Sequence, residues 1–196
     1  SMLSDELTYR IREHFGHVPT AEQERAIGII ATFLADRAVQ SVMILRGSAG
    51  TGKTTLAAAI VRTLTSLKQK LMLLAPTGRA AKVFSLYAGH PANTIHRRIY
   101  RQRAADGLSA FNLNDNLYQD TLFIIDEASM ISDTPGDSAF STCSLLNDLV
   151  RYVYQGQNCR MMLIGDKAQL PPVGEEESPA LMSDVLRGYG LHVYEA

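Results

Sequence analysis

The sequence has only two cysteines, no apolar run long enough to cross a membrane and almost no net charge. Cys143 and Cys159 lack the close spacing of a structural zinc site, so we interpret them as reduced thiols. No stretch approaches the ~20 apolar residues that span a bilayer. The first ten residues lack the basic and then apolar segments of a signal peptide. We therefore expect a cytoplasmic protein with no membrane partner.

The low net charge comes from 19 basic residues set against 20 acidic ones, which leaves a formal charge of −1. This balance argues against a protein that binds polyanions with its whole surface, although a local basic face remains open. Because 46% of the 196 residues are hydrophobic, we expect one domain over residues 1–196. Residues 97–120 are Arg-rich and then contain the turn-prone pair Asp106-Gly107, which suggests a small hairpin insertion.

Four short apolar runs predict buried strands, because none of them alternates apolar with polar residues. Between them, apolar residues recur at helical spacing, as in the segment after Lys53. Two helices are expected near the N-terminus, over 5–15 and 21–34, the second capped by Thr20. The pattern indicates an α/β fold in three layers, with a mostly parallel sheet flanked by helices. The four runs are VMIL at 42–45, LMLLA at 71–75, LFII at 122–125 and MMLI at 161–164.

Each predicted strand is followed by a polar segment that contains glycine or aspartate. In order, the segments are GSAGTGKTT, PTGRAAK, DEASM and GDKAQLPP. Ligands on open parallel sheets bind at the carboxyl ends of the strands. We therefore expect the four segments to converge on one crevice.

The segment after the first strand matches the phosphate-binding pattern G-x-x-x-x-G-K-[ST] in full. Its glycines let backbone N–H groups approach phosphate oxygens, and the next helix points its positive end at the same anion. Lys53 would reach the β- and γ-phosphates and Thr54 would bind Mg²⁺, so the expected cofactors are ATP and Mg²⁺. A glycine-rich helix cap without function is disfavoured by the strand before it and the helix after it. The predicted ATP-binding residues are Gly47, Ser48, Ala49, Gly50, Thr51, Gly52, Lys53, Thr54 and Thr55.

Asp126 and Glu127 directly follow the third predicted strand. At that strand end, Asp126 would complete the Mg²⁺ site and Glu127 would orient or deprotonate an attacking water. The alternative is a pair of acids that favours the positive end of a helix. The phosphate loop favours the functional interpretation, and tandem acids favour hydrolysis over transfer to a small molecule.

The motifs taken together resemble those of superfamily 1 DNA helicases. Beside GSAGTGKTT stand APTGRAAK at 75–82, TIHR at 94–97, DEASM at 126–130 and LIGDKAQLPPVG at 163–174. The residues of these motifs are similar to those of the RecD-like and Dda-like branch, which moves 5′ to 3′ on single-stranded DNA. The resemblance implies a RecA-like P-loop NTPase fold and the N-terminal motor domain of an ATP-dependent DNA helicase.

The resemblance also implies two glutamines on the nucleotide side. Gln23 matches a glutamine that contacts adenine, yet Thr20-x-x-Gln23 is also a capping box, and one side chain cannot easily serve both roles. Gln169 matches the glutamine that senses the γ-phosphate, with an exposed loop residue as the alternative. The implied catalytic residues are Lys53, Glu127 and Gln169.

On the nucleic-acid side, Pro76, Thr77 and Arg79 match an element that touches the DNA backbone, and Thr94 and His96 match the next one. The alternatives are a solvated charge for Arg79, a helix cap for Thr94 and a structural histidine for His96. The following basic run, 96–103, could line single strands or be a plain solvated face.

The family motor has a second RecA-like domain, which supplies arginines to the transition state. We find no motifs of that domain before Ala196 and expect the chain alone to bind ATP but hydrolyse it slowly. The expected partners are single-stranded DNA, the second RecA-like domain, and nuclease or replication and repair proteins. Two other functions remain open: a P-loop ATPase that remodels proteins without nucleic acid, and a non-catalytic nucleotide-binding module.

Overall fold

The computed structural model describes residues 1–38, 40–47, 52–102, 111–135 and 143–196, and its centre is a six-stranded sheet. The strands are β1 (Ser41–Arg46), β2 (Lys70–Ala75), β3 (Ala92–Thr94), β6 (Thr121–Ile125), β7 (Arg160–Gly165) and β8 (His192–Glu195). Their order is β3-β2-β6-β7-β1-β8, and every pairing in this sheet is parallel. A separate antiparallel pair joins β4 (Tyr100–Gln102) to β5 (Phe111–Leu113).

Seven helices are found in the described part of the chain. They are α1 (Met2–Phe15), α2 (Ala21–Ala35), α3 (Lys53–Ser66), α4 (Gly78–Ala88), α5 (Ile95–Ile99), α6 (Leu145–Gln155) and α7 (Ser183–Gly188). Polar caps fix where several of them begin, because a side-chain oxygen accepts an otherwise unpaired N–H of the first turn. Thr20 caps α2 as predicted, and Ser144 caps α6. None of these helices combines the length and apolar character needed to cross a bilayer.

The sheet is buried on both faces, which explains its continuous apolar runs. Successive side chains point to opposite faces, so Val42 and Ile44 pack with α6 and the chain around Ile131. Met43 and Leu45 pack on the other side with α2, α3 and α4. Helices on both faces of a parallel sheet confirm the predicted three-layer α/β, RecA-like fold.

The four predicted strands are present, but β3 and β8 were not predicted. β3 is the three-residue segment Ala-Asn-Thr, which contains no apolar run. β8 is a short edge strand, His-Val-Tyr-Glu, which also contains no apolar run. Within 97–120, β4 and β5 form the antiparallel pair, while the predicted turn Asp106-Gly107 lies outside the described residues.

The order of the strands in the sheet decides which strand ends are neighbours. β7 lies between β1 and β6, so the phosphate loop after β1 and Asp126 after β6 flank the end of β7. On the far side of β6, Ala75 at the end of β2 is paired with Thr94 at the end of β3. The order therefore divides the carboxyl edge into one region around β1, β7 and β6 and another around β2 and β3.

Candidate functional site

The phosphate loop connects the end of β1 to the start of α3. Gly47 donates its backbone N–H to the carbonyl of Gly165 on β7 at 3.1 Å. Gly52 is the N-cap of α3 at φ +78°, a conformation that favours glycine, and it has no side chain to occupy the first N–H groups of the helix. Lys53 follows half-buried, Thr54 is exposed and Thr55 is half-buried. Four predicted ligands, Ser48, Ala49, Gly50 and Thr51, lie outside the described residues.

Gln23 forms the helix cap that the sequence offered as the alternative to an adenine contact. Its Oε1 accepts the backbone N–H of Thr20 at 2.9 Å, and its own N–H donates to the Thr20 hydroxyl at 3.1 Å, so the capping box is complete. Its Nε2 points toward the phosphate loop, where a Cβ on Gly52 would collide with it. The capping role is therefore present, and the adenine contact stays a prediction; the cap uses the acceptor end of the carboxamide and leaves its Nε2 donor outside the cap.

A cavity of about 270 Å³ opens beside this side chain, between α2, the phosphate loop and β8. Gln23, Gly52 and Lys53 form its polar side, and Ala26, Ile29, Leu45 and Leu56 form its apolar wall. Arg46 and Glu195 close the cavity through an ion pair at 2.8 Å. An apolar slot with a few convergent polar groups suits a flat heteroaromatic ring joined to phosphates.

Asp126 lies at the end of β6 and is only 6% exposed. Its Oδ1 accepts the backbone N–H of Glu127 at 2.8 Å, and its Oδ2 accepts the hydroxyl of Tyr87 at 2.6 Å. Both donors are neutral, and no ion pair to Asp126 is found in the described part of the chain. A buried carboxylate that lacks a cation fits a hard divalent ion such as Mg²⁺, with the Thr54 hydroxyl as a second oxygen ligand.

Glu127 is half-buried and adopts a left-handed backbone conformation at φ +53°. Burial raises the pKa of its carboxyl, and the negative charges of Asp126 and Asp166 raise it further, against the lowering effect of Lys53. A non-glycine residue in this conformation is uncommon and often marks a constrained functional position. Asp126, Asp166 and Lys53 therefore all lie close enough to Glu127 to influence the charge of its carboxyl.

Asp166 follows β7, as Asp126 follows β6, and it is also buried. Its Oδ1 accepts the backbone N–H of Ala168 at 2.8 Å, and its carbonyl accepts that of Gln169 at 3.2 Å. Asp166 therefore fixes the start of the loop that carries Gln169, whose side chain is exposed. Asp166 was not among the predicted site residues, although its position just after a predicted strand could have indicated it, as it did for Asp126.

The predicted DNA contacts lie together at the ends of β2 and β3. The Thr77 hydroxyl caps α4 through the N–H of Ala80 at 3.1 Å, and the Thr94 hydroxyl caps α5 through the N–H of Arg97 at 3.1 Å. Pro76 is half-buried, and Arg79 is exposed on the first turn of α4. The cap that the sequence offered as the alternative role of Thr94 is therefore present.

His96 is half-buried on α5, with its ring centroid 5.6 Å from that of Tyr100. Burial lowers the pKa of the imidazole, which favours the neutral ring near neutral pH. A neutral ring contacts nucleic acid by stacking or by a hydrogen bond and not as a cation.

Tyr87, on the last turn of α4, is the main site residue that the sequence analysis missed. It belongs to no local motif, and only the fold brings its hydroxyl to Asp126. Burial raises the pKa of the phenol well above its usual range, and the charge of Asp126 adds to the effect, so the hydroxyl remains a donor.

Comparison with known proteins gives one family and several relatives. The sequence model of the family described as "AAA domain" matches residues 31–175. The ATP-dependent RecD2 DNA helicase of Deinococcus radiodurans is 34% identical over 143 residues, which are 73% of this chain and 18% of that protein. The ATP-dependent DNA helicase RRM3 of Saccharomyces cerevisiae is 29% identical over 174 residues, covering 82% of this chain and 21% of that protein.

A solved structure shares the fold. The Pif1 helicase of Candida albicans superposes with a TM-score of 0.53 at 19% identity, over 91% of this chain and 40% of that one. At this identity the likeness concerns the fold alone. The chain spans only about a fifth of the length of the two curated relatives.

Proposed function

Because the chain belongs to the AAA domain family and, within superfamily 1, to the RecD-like motor domains, we propose that it is the ATP-binding part of an ATP-dependent DNA helicase. The parent protein would hydrolyse ATP to translocate on single-stranded DNA. The observation that carries the proposal is the convergence of Lys53, Asp126, Glu127 and Asp166 at neighbouring strand ends. This grouping supports the proposal because Lys53, a buried carboxylate and an acid with a raised pKa lie at one edge of the sheet.

Within this site, Lys53 binds the β- and γ-phosphates, and Thr54 and Asp126 hold the metal. Mg²⁺ bound there would supply the charge that neutralises the phosphate oxygens. Glu127 holds or accepts the proton of the attacking water, because its carboxyl lies beside Asp126 and under the influence of Lys53. Gln169, on the loop fixed by Asp166, senses the terminal phosphate.

The base of the nucleotide lies in the cavity beside Gln23. The Nε2 group donates to a ring acceptor of adenine, while Oε1 continues to cap α2. The apolar wall packs against the ring, and the phosphates extend toward Lys53 and the residues of the loop, from Gly47 through Thr55.

Single-stranded DNA crosses the ends of β2 and β3, where Pro76, Thr77, Arg79, Thr94 and His96 lie. Arg79 is the exposed cation of this group and binds a backbone phosphate. A second RecA-like domain, outside this chain, closes over the nucleotide and supplies arginines to the transition state. We place the parent protein in the cytoplasm, with replication or repair proteins as further partners.

The chain alone binds ATP but turns it over slowly under this proposal. Arginines supplied by a partner domain account for about 10³–10⁵-fold in rate in related P-loop enzymes. We therefore expect a turnover number well below the ~1–100 s⁻¹ of complete phosphoryl-transfer enzymes.

Titration with a fluorescent ATP analogue tests the nucleotide site directly. The chain should bind the analogue in the presence of Mg²⁺, and Lys53→Ala should abolish binding. Lys70→Ala is the matched control, because Lys70 is an exposed lysine at the start of β2, on the opposite edge of the sheet. Equal binding by Lys53→Ala and Lys70→Ala would contradict the proposed site.

A further inference from the structure

Tyr87 contributes the one side-chain hydrogen bond that Asp126 receives from the described residues. The hydroxyl donates to Oδ2 at 2.6 Å, a distance typical of a charge-assisted bond to a carboxylate. The ring is held in place by the neighbouring ring of Phe84, with centroids 5.3 Å apart. Phe84 is fully buried in the core, so its contact with Tyr87 holds the Tyr87 hydroxyl in a fixed position.

The hydrogen bond from Tyr87 restricts the terminal side-chain torsion of Asp126. The terminal torsion of an aspartate is broad, and the backbone N–H of Glu127 holds only one of the two carboxylate oxygens. A second donor on Oδ2 fixes the plane of the carboxylate. Each oxygen keeps one further lone-pair direction for another ligand.

We propose that Tyr87 is a positioning residue for the metal site, where its hydroxyl holds the Asp126 carboxylate in the orientation that receives Mg²⁺. The inference rests on the proposed function, since it requires Asp126 to be a metal ligand. It adds a residue from outside the motifs to that site. Groups that hydrogen-bond metal ligands typically change metal affinity or activity by about 10–100-fold when they are removed.

A second tyrosine shows what a purely structural hydroxyl does in this fold. Tyr154 donates to the carbonyl of Ser41 at 2.6 Å, at the amino end of β1 and away from the phosphate loop. The two bonds have equal length, but the partner of Tyr87 is a buried carboxylate at the candidate site. Tyr154→Phe is therefore a matched control for the loss of a hydrogen-bonded hydroxyl.

The experiment measures ATP affinity as a function of Mg²⁺ concentration for the unaltered chain, Tyr87→Phe, Tyr154→Phe and Asp126→Asn. Tyr87→Phe keeps the ring and its packing against Phe84, and thermal unfolding of both Phe variants measures any effect on the fold. We expect Tyr87→Phe to need about tenfold more Mg²⁺ for half-maximal tightening of ATP. Its ATP affinity in EDTA should be unchanged, and Tyr154→Phe should match the unaltered chain in both conditions.

The outcomes separate this inference from the proposed function. If Asp126→Asn changes the Mg²⁺ dependence and Tyr87→Phe does not, the positioning role is overturned while the metal site stands. If Tyr87→Phe weakens ATP equally with Mg²⁺ and with EDTA, its hydroxyl supports only the fold, and the inference is again overturned. If Asp126→Asn leaves the Mg²⁺ dependence unchanged, the proposed metal site itself fails, and the inference fails with it.

Discussion

Two substitutions separate the proposed nucleotide contact of Gln23 from the capping of α2. Gln23→Glu keeps an oxygen that accepts the Thr20 N–H but replaces the Nε2 donor that points toward the phosphate loop. Thr20→Ala removes the hydroxyl that accepts the backbone N–H of residue 23 in the cap of α2, and it leaves the carboxamide intact. The first substitution should therefore affect the nucleotide, and the second should affect the helix.

The sizes of the two effects follow from the bonds involved. Loss of an N-cap hydroxyl costs about 1 kcal/mol, which lowers the unfolding midpoint of a domain of this size by ~2–4 °C. Loss of one donated hydrogen bond costs about 1–1.5 kcal/mol, equivalent to roughly five- to tenfold in affinity. Gln23→Glu also adds a negative charge near the phosphates, so its effect on the base must be separated from its effect on the whole nucleotide.

Competition binding with ATP and with inorganic tripolyphosphate makes that separation, because tripolyphosphate lacks the base. We expect Gln23→Glu to lower the ratio of ATP affinity to tripolyphosphate affinity by at least about fivefold. Thr20→Ala should lower the unfolding midpoint and leave this ratio unchanged. A Gln23→Glu protein with the original ratio would refute the adenine contact and leave Gln23 as a helix cap alone.

Four further predictions concern Glu127, the DNA face and the isolated chain. In the intact protein, Glu127→Gln should reduce ATP hydrolysis by about 10²–10⁴-fold while ATP still binds, and near-normal turnover would contradict the proposed role of Glu127. In the nucleotide-free chain, NMR should find the pKa of Glu127 above the ordinary range of a glutamate carboxyl, and Asp166→Asn should lower it because a negative neighbour is removed. An unchanged midpoint in Asp166→Asn would contradict that coupling. Arg79→Ala should weaken single-strand binding and reduce the salt slope by about 0.7, whereas Arg10→Ala, on α1, should not. A turnover number of ~1–100 s⁻¹ for the chain alone would contradict the need for a second domain.

The parts of the fold that could be predicted are those with a local signal. The strands containing Val42 and Phe123 are buried on both faces and appear as continuous apolar runs. β3 and β8 are held by pairing with β2 and β1, so their own residues carry little pattern. Their detection needs the tertiary context that a short segment does not contain.

The residues of the candidate site likewise divide into those with a local sequence signal and those without one. Lys53 and Asp126 stand in motifs whose spacing reflects their chemistry, so a sequence could indicate them. Tyr87 lies 39 residues from Asp126 in sequence and meets it only because α4 packs against β2, the strand next to β6. The direction of each end of the Gln23 carboxamide also needed coordinates, because a sequence does not give the orientation of a side chain.

ATP hydrolysis by the intact protein, measured with and without single-stranded DNA, tests the central claim most directly. Under this account, single strands increase turnover, and Glu127→Gln abolishes both the basal and the stimulated rates. A DNA motor is contradicted if single strands of any sequence leave hydrolysis unchanged while the protein still binds and hydrolyses ATP. That result would favour a P-loop ATPase that acts on proteins.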